Sequence, residues 1–435
     1  MSRSSFATGR ACLLGVTLLL NAYYLYRCGD GLSPFDGFSE ADAVRSAEKY
    51  AREGFLADRG LPNVTYGDHY PGEGTDGPSG HIPGDPIYHG YPPGPNWLTG
   101  LSMVVFGEGH LARYRIMPVA LGLLASAVFL TSLTRTFGGG RAFFVYLACV
   151  LAPMFTNLTH DLHFAGYALS LLLLELSALM RVLRRPGPTG PGWLSAVFLL
   201  AFLQGWLSFE YAFLVTFAAL PMAFLAGPRD AAPDWRKVVA LVAACGLGFT
   251  LAHGLHFLQS VAYFGGLRGA LDEYAFRSGK VYGVPESILR LSKLELLLTG
   301  LVLYGNVFLR WTLMFSPWSI VVLAATLAAF VFSRASFTLG RRLTINAVMS
   351  PTVHDLAGVV LALGVALGWF FGKPYHALNH LTATGRHLFL FYFACCVALA
   401  RATELGFVRE PAGDREFSAA GDDRPDPSAG ARRGQ

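Results

Sequence analysis

Residues 237–258 read KVVALVAACGLGFTLAHGLHFL, an apolar run with a single charge at its start and no polar–apolar alternation. A strand with one wet face alternates with a period of two, and this run does not. As a helix it rises about 1.5 Å per residue and is long enough to cross roughly 30 Å of hydrocarbon. Inside a bilayer only helices and closed barrels satisfy their own backbone, so a continuous run of this kind predicts a spanning helix. Comparable runs occur near 11–25, 115–133, 142–158, 163–181, 192–205, 210–226, 316–333, 355–371 and 387–403. The expected fold is therefore an all-α polytopic membrane protein of about ten transmembrane helices, with amphipathic surface helices in long outer loops.

Composition agrees with that reading. Of 435 residues 53% are hydrophobic and only 14% charged, and the mean hydropathy is +0.42, which is too apolar for an ordinary water-soluble domain. The net charge of +5 does not indicate a nucleic-acid partner, because the basic residues are scattered at the ends of apolar runs rather than clustered with aromatics. Six cysteines form no CxxC pair, and most lie inside apolar runs where a thiol behaves as a small hydrophobe.

The first run follows Arg3 and Arg10 and has the outline of a signal peptide. It continues through Asn21, Tyr23, Tyr24 and Tyr26 without a small-x-small cleavage site, which suits a retained helix with an interfacial aromatic belt. Arginines and lysines gather on alternate turns: Arg135 and Arg141, then Arg181, Arg184 and Arg185, then Arg229, Arg236 and Lys237, then Arg334, Arg341 and Arg342. The positive-inside rule makes those turns and both termini cytoplasmic, in a multi-pass cell-membrane protein, expected in the inner membrane of a bacterium.

The domain then covers 1–410, with outer loops at about 27–114, 259–315 and 372–386, and the polar segment 411–435 is expected to be a disordered cytoplasmic tail. Leu294 to Phe315 is apolar enough for an eleventh span, but counting it would invert the arginines at 334–342, so an interfacial or re-entrant helix is expected there. Sequons at Asn63 and Asn157 fall on the outer side and read as chance matches.

The first outer loop opens with FSEADAVRSAEKYAREGF, in which Ala43, Val44, Ala47, Tyr50 and Ala51 recur at helical spacing, predicting an amphipathic helix on the membrane surface. Asp36, Glu40 and Asp42 stand at its start. Such carboxylates fit helix-start capping beside Ser39, or a general base whose proton affinity is raised by partial desolvation. Further on, His89 and Tyr91 precede Pro92-Pro93 in DPIYHGYPPGPNWLTGLSMVVFG, where the prolines stiffen the entry to a second short helix ending at Phe106-Gly107.

An acidic residue past the first span, a surface helix ending at Gly54, the Pro-Pro-x-x-x-Trp-Leu segment, Phe106-Gly107 and Arg113 before the second span together resemble the GT-C membrane glycosyltransferases. The resemblance lies over about residues 11 to 185, and is nearest to the branch with protein O-mannosyltransferases and the lipid A aminoarabinose transferase. It implies transfer of a sugar from a polyprenyl-phosphate carrier to a lipid, glycan or protein acceptor on the outer side, with an acid of the first loop as base. The family's Asp-Glu pair falls on Ser39 and Glu40, so one acid is missing and Glu40, Asp36 or Asp42 is left to take the role. The basic residue that precedes the double proline in that branch is here Tyr91.

Eleven of the twelve histidines, all but His354, fall in outer loops or in spans opening toward them, which points to a polar cavity on that side. His160, Asp161 and His163 form one candidate substrate-binding group. His376, His380, Arg386 and His387 form another. His376 and His380 are one helical turn apart, a spacing that can hold a divalent metal, whereas Arg386 and His387 suit a lipid-linked phosphate. Within the membrane, Glu210, His253 and His256 are the ionisable residues expected to be buried. Two rival readings follow from the same residues: a transporter or flippase, which would show broken helices in matching halves, and an outer-face metal-dependent hydrolase built on the histidines. Reporter fusions at Arg185, Arg236 and Arg342 are expected to give a cytoplasmic signal, and fusions at Gly80, Lys280 and Asn379 an outer one. An outer signal at Arg342 would restore the eleventh span.

Overall fold

The computed structural model describes residues 3–32, 37–66, 87–150, 155, 158–227, 231–279, 334–339, 343–349, 352–372 and 386–409, with isolated positions between 292 and 302. The expected span at 316–333, the tail at 411–435, Asp36, His376 and His380 lie outside the described residues, as does the Arg386 side chain.

The chain is a helical multi-pass membrane protein. Its helices in order are α1 (Arg3–Cys28), α2 (Gly37–Glu53), α3 (Gly94–Phe106), α4 (Leu111–Tyr114), α5 (Ile116–Phe137), α6 (Gly139–Val150), α7 (Phe164–Arg184), α8 (Pro191–Leu207), α9 (Ala212–Phe217), α10 (Ala219–Leu225), α11 (Trp235–Tyr263), α12 (Leu267–Gly279), α13 (Val353–Gly372) and α14 (Phe389–Ala402). Among the described residues, four helical stretches are long and apolar enough to cross a bilayer: Ala7–Cys28, Leu111–Phe137, Phe164–Arg184 and Trp235–Tyr263. Helices α6, α8, α13 and α14 contribute shorter apolar stretches.

Local chemistry sets several boundaries. Pro95 and Pro191 stand in the first turns of α3 and α8, where a missing N–H costs nothing, and Gly107 and Gly138 end α3 and α5 at φ of 79° and 81°. Asp234 caps α11 by accepting from the Lys237 amide at 3.4 Å. The single span expected at 210–226 is instead two short helices, α9 and α10, divided at Ala218. Pro221 explains the break, since it cannot donate to the carbonyl of Phe217.

Helix α7 is buried on nearly all sides and forms the centre of the bundle. Leu172, Leu176 and Leu179 of α7 share one apolar core with Phe129 of α5, Tyr146 of α6 and Phe393 of α14, and the Phe129 and Phe393 rings meet at 5.6 Å. Helices α8 and α11 approach most closely at two glycines. A Cβ on Gly205 would meet the Ala252 side chain at 3.0 Å, and one on Gly248 would collide with the Phe198 carbonyl. Small residues at such crossings let backbones touch where lipid supplies no hydrophobic drive.

One departure from a purely helical chain is a three-stranded antiparallel sheet, β1 (Arg334–Leu339), β2 (Leu343–Met349) and β3 (Thr403–Arg409), in the order β1-β2-β3. Arg334 pairs with Val348 and Leu343 with Arg409 in its register. The segments RASFTL, LTINAVM and TELGFVR each carry β-branched or aromatic residues among polar ones. Strand pairing thus occupies residues that sequence reasoning leaves as a loop and the end of the last helix.

Gly248→Ala is expected to destabilise the detergent-purified protein by about 1–3 kcal/mol, the usual cost of overpacking. Gly254→Ala in the same helix, where a Cβ meets nothing within 4 Å, is expected to leave the thermal midpoint unchanged. Equal behaviour of the two variants would show that the α8–α11 crossing is looser than described.

Candidate functional site

The chain leaves α1 at Cys28 and turns through Gly29 and Gly31 before α2, so two backbone carbonyls face back toward the bundle. Arg115, between α4 and α5, meets them. Its Nη1 donates to the Gly29 carbonyl at 2.8 Å, its Nη2 to the Gly31 carbonyl and to Glu40 Oε2, both at 2.7 Å, and its Nε to the His160 carbonyl at 3.1 Å. Glu40 Oε1 in turn accepts from the Leu162 amide at 3.1 Å. Both side chains of this ion pair are completely buried. One guanidinium therefore joins α1, α2, α5 and the segment before α7.

Asp161 and His160 belong to the same junction. The Asp161 carboxylate accepts from the His163 amide at 2.9 Å, and a ring nitrogen of His160 lies 3.0 Å from the Asn21 carbonyl in α1. Gly166 lies so close to the Asp161 carbonyl that a Cβ there would collide, which holds this tight entry into α7.

A second group lies beside it. Tyr91 donates to Glu210 Oε1 at 2.7 Å, and its ring stacks on Phe164 at 5.7 Å and packs against Phe209 at 4.8 Å and His163 at 6.1 Å. Phe209 continues to Trp369 of α13 at 5.5 Å, and His387 stacks on Trp369 at 5.5 Å while facing Tyr211 at 5.7 Å. The ends of α7, α8, α13 and α14 thus converge on one carboxylate, two imidazoles and a run of aromatic rings. Glu210, His387 and Trp369 are almost fully buried.

Of the residues predicted from sequence, the structure brings Glu40, His160 and Asp161 into the first group and Tyr91, His163 and His387 into the second. Asp42 lies apart, 3.5 Å from Arg45 on α2. Arg113 is exposed and donates to the Phe106 carbonyl at 3.4 Å. His89 packs its ring between Tyr263 and Phe264, and its carbonyl is 3.1 Å from a ring nitrogen of His256. Arg386 opens the helical turn Arg386–Leu388 that carries His387.

Helix α2 departs from the expected surface helix. Ala43, Val44, Ala47 and Tyr50, the apolar residues at helical spacing, are buried within the protein, and so are Arg45, Glu48 and Lys49 on its polar side. Lys49 pairs with Asp58, Ser46 donates to the Asn63 carbonyl at 2.9 Å, and Tyr50 donates to the Gly60 carbonyl at 2.8 Å, so the segment 54–66 folds over the polar face. Burial pushes the Tyr50 hydroxyl far above its ordinary range, while a hydrogen bond with Trp97 opposes this weakly.

Sequence reasoning passed over Arg115 and took Arg113 instead. The signal that distinguishes them is register: Arg115 stands one residue before the apolar run beginning at Ile116, where a guanidinium must find buried acceptors. Glu175, within LLLLELSALM of α7, was also passed over; it is buried beside Cys245 of α11, whose thiol lies 3.5 Å from its carboxylate. Among the described residues no group of three histidine, cysteine or acidic side chains is arranged to hold a metal.

No known protein family's sequence pattern matches the chain, and no curated protein matches it. A solved structure, that of ArnT from Cupriavidus metallidurans in the apo state, aligns at 17% identity over 91% of this chain and 77% of that one, with a TM-score of 0.38. A superposition this loose fixes neither the fold nor any residue's role.

Arg115→Met is expected to cost about 3–5 kcal/mol, because it leaves the Glu40 carboxylate buried without its counter-charge. Adding Glu40→Gln to that variant should recover part of the loss in thermal denaturation. A single variant as stable as the parent would mean that the ion pair is not a structural brace.

Proposed function

We propose that the chain is a membrane glycosyltransferase that moves a sugar from a polyprenyl-phosphate carrier to a lipid, glycan or protein acceptor on the non-cytoplasmic side. The observation that carries this reading is the Tyr91–Glu210 group. Aromatic ring faces suit the apolar C–H faces of a pyranose, while a carboxylate and imidazoles suit its hydroxyls and the proton that must move. Tyr91, Phe164, Phe209, Trp369, Glu210, His163 and His387 supply those chemistries in one place. The resemblance of residues 11 to 185 to GT-C enzymes agrees with it.

In this reading Glu210 takes the acceptor hydroxyl's proton as that oxygen bonds to the anomeric carbon. The bond from that carbon to the phosphate oxygen breaks in the same step, and polyprenyl phosphate leaves with the electron pair. Tyr91, by donating to Glu210, orients its carboxylate. Arg386 and His387, at the entrance to α14, hold the departing phosphate. Glu40 occupies the position to which the resemblance assigns the base. Both its oxygens already accept hydrogen bonds, one from Arg115 and one from the Leu162 amide. Glu40 therefore fixes the loop that carries the site, and Asp42 serves α2 through Arg45.

The test uses the full chain in nanodiscs with radiolabelled polyprenyl-phosphate hexoses and pentoses, membrane extract as the acceptor source, and release of polyprenyl phosphate as the readout. Glu210→Gln is expected to lower turnover about 100-fold with donor affinity little changed, the usual scale for a lost general base. Glu40→Gln should lower the thermal midpoint while each folded molecule keeps most of its turnover. The opposite result would return the base to Glu40 and keep the enzyme class. Failure of every donor to release polyprenyl phosphate would remove the glycosyltransferase reading itself.

A further inference from the structure

Helix α11 is 29 residues long and presents Leu247, Leu251, Leu255 and Leu258 on one exposed face. Their spacing is that of a single helical stripe, and on a bilayer-spanning helix such a stripe faces acyl chains. Where the stripe reaches the end of the helix, it runs into a groove of about 460 Å³ lined by Leu56, Trp206, Leu255 and Leu258, with Arg59 and Gln259 as its polar members. Among the described residues Arg59 is the one charged member of the lining, and its side chain is exposed.

The chain spends local strain to put Arg59 there. Asp58 and Arg59 are consecutive non-glycine residues with φ of +47° and +61°. Such residues rarely enter the left-handed region, and they persist there when surrounding contacts hold them. Lys49 holds Asp58 by an ion pair, and Gln259 of α11 donates to the Arg59 carbonyl at 3.0 Å. Among the described residues, Asp58 next to Arg59 is paired with Lys49, and Glu53 lies 3.9 Å from the same ammonium. Trp206 sits against Trp97 at 5.7 Å and Phe202 at 6.3 Å, the aromatic setting of a membrane–water interface.

We propose that this groove is a binding site for one anionic phospholipid of the surrounding bilayer, with its phosphate on the Arg59 guanidinium and an acyl chain along Leu255 and Leu258. A water-soluble phosphate ester would leave the leucines unused, and a neutral lipid would leave the guanidinium unused. The occupant suggested by both is an amphiphile with an anionic head. Through the pairing of Gln259 with the Arg59 carbonyl and of His256 with the His89 carbonyl one turn away, lipid occupancy stabilises the seating of the first loop on α11. This does not depend on the reaction proposed above.

The experiment is native mass spectrometry and thermal denaturation of delipidated full-length protein titrated with phosphatidylglycerol, phosphatidylcholine of the same chains, or decaprenyl phosphate. One phosphatidylglycerol is expected to bind about five- to tenfold more tightly than phosphatidylcholine, the scale of one arginine near a lipid phosphate, and to raise the thermal midpoint. Arg59→Asn removes the charge with a residue that tolerates left-handed backbone, and should abolish the preference. Leu258→Trp fills the groove and should weaken both phospholipids. Arg52→Gln, at a guanidinium that pairs with Glu48 and Glu108, should leave binding as in the parent. Equal binding of the two phospholipids, or an undiminished preference in Arg59→Asn, would overturn the proposal. So would decaprenyl phosphate displacing phosphatidylglycerol at equal or lower concentration, since the groove would then belong to the prenyl carrier. None of these readouts uses sugar transfer, so their failure leaves the proposed reaction untouched.

Discussion

A guanidinium with no access to solvent needs acceptors around it to stay buried, and Arg115 finds four of them in three different parts of the chain. Removing two charges from water costs several kcal/mol per ion even after relaxation. That cost is offset only when geometry supplies both the counter-charge and the remaining hydrogen bonds. The position of the loop after α1, the entry of α2 and the turn before α7 are all consequences of that demand. Arg115 specifies the arrangement because a buried charge left without its partners is strongly destabilising.

The opposite end of the bundle solves the same problem in the same way. Arg401 near the end of α14 pairs with buried Asp355 at 2.9 Å and donates to carbonyls at the end of α10, including that of Leu225. Asp355 also closes a capping arrangement with Thr352 at the start of α13. Between these polar fasteners the bundle is held mainly by apolar packing and close glycine contacts, with Glu175 and Cys245 as a polar contact in its middle. The candidate site lies beside the Arg115 fastener, which ties the His160 carbonyl at the turn leading to His163.

The carboxylates differ in their surroundings. Glu40, Asp42 and Glu210 are the same functional group in three environments: tied by a guanidinium, paired across a helix turn, and set among aromatic rings beside a tyrosine hydroxyl. Sequence proximity grouped Glu40 with Asp42. The fold grouped Glu210 with Tyr91, more than a hundred residues away.

Hydropathy alone determined that the chain crosses a membrane by helices, because a run such as 237–258 has no other way to satisfy its backbone in hydrocarbon. It located α1, α5, α7, α8, α11, α13 and α14, and the placement of histidines on one side marked His160, Asp161 and His163 as residues of a polar end, whereas Tyr91 was singled out only by the family resemblance. It did not reveal the break at Ala218 or the pairing of β1, β2 and β3, where proline geometry and long-range strand contacts outweigh local hydropathy. Nor could it choose Arg115 over Arg113 or join Tyr91 to Glu210. A buried hydrogen bond is defined by the partner that the tertiary fold brings to it, and no spacing along the chain contains that partner.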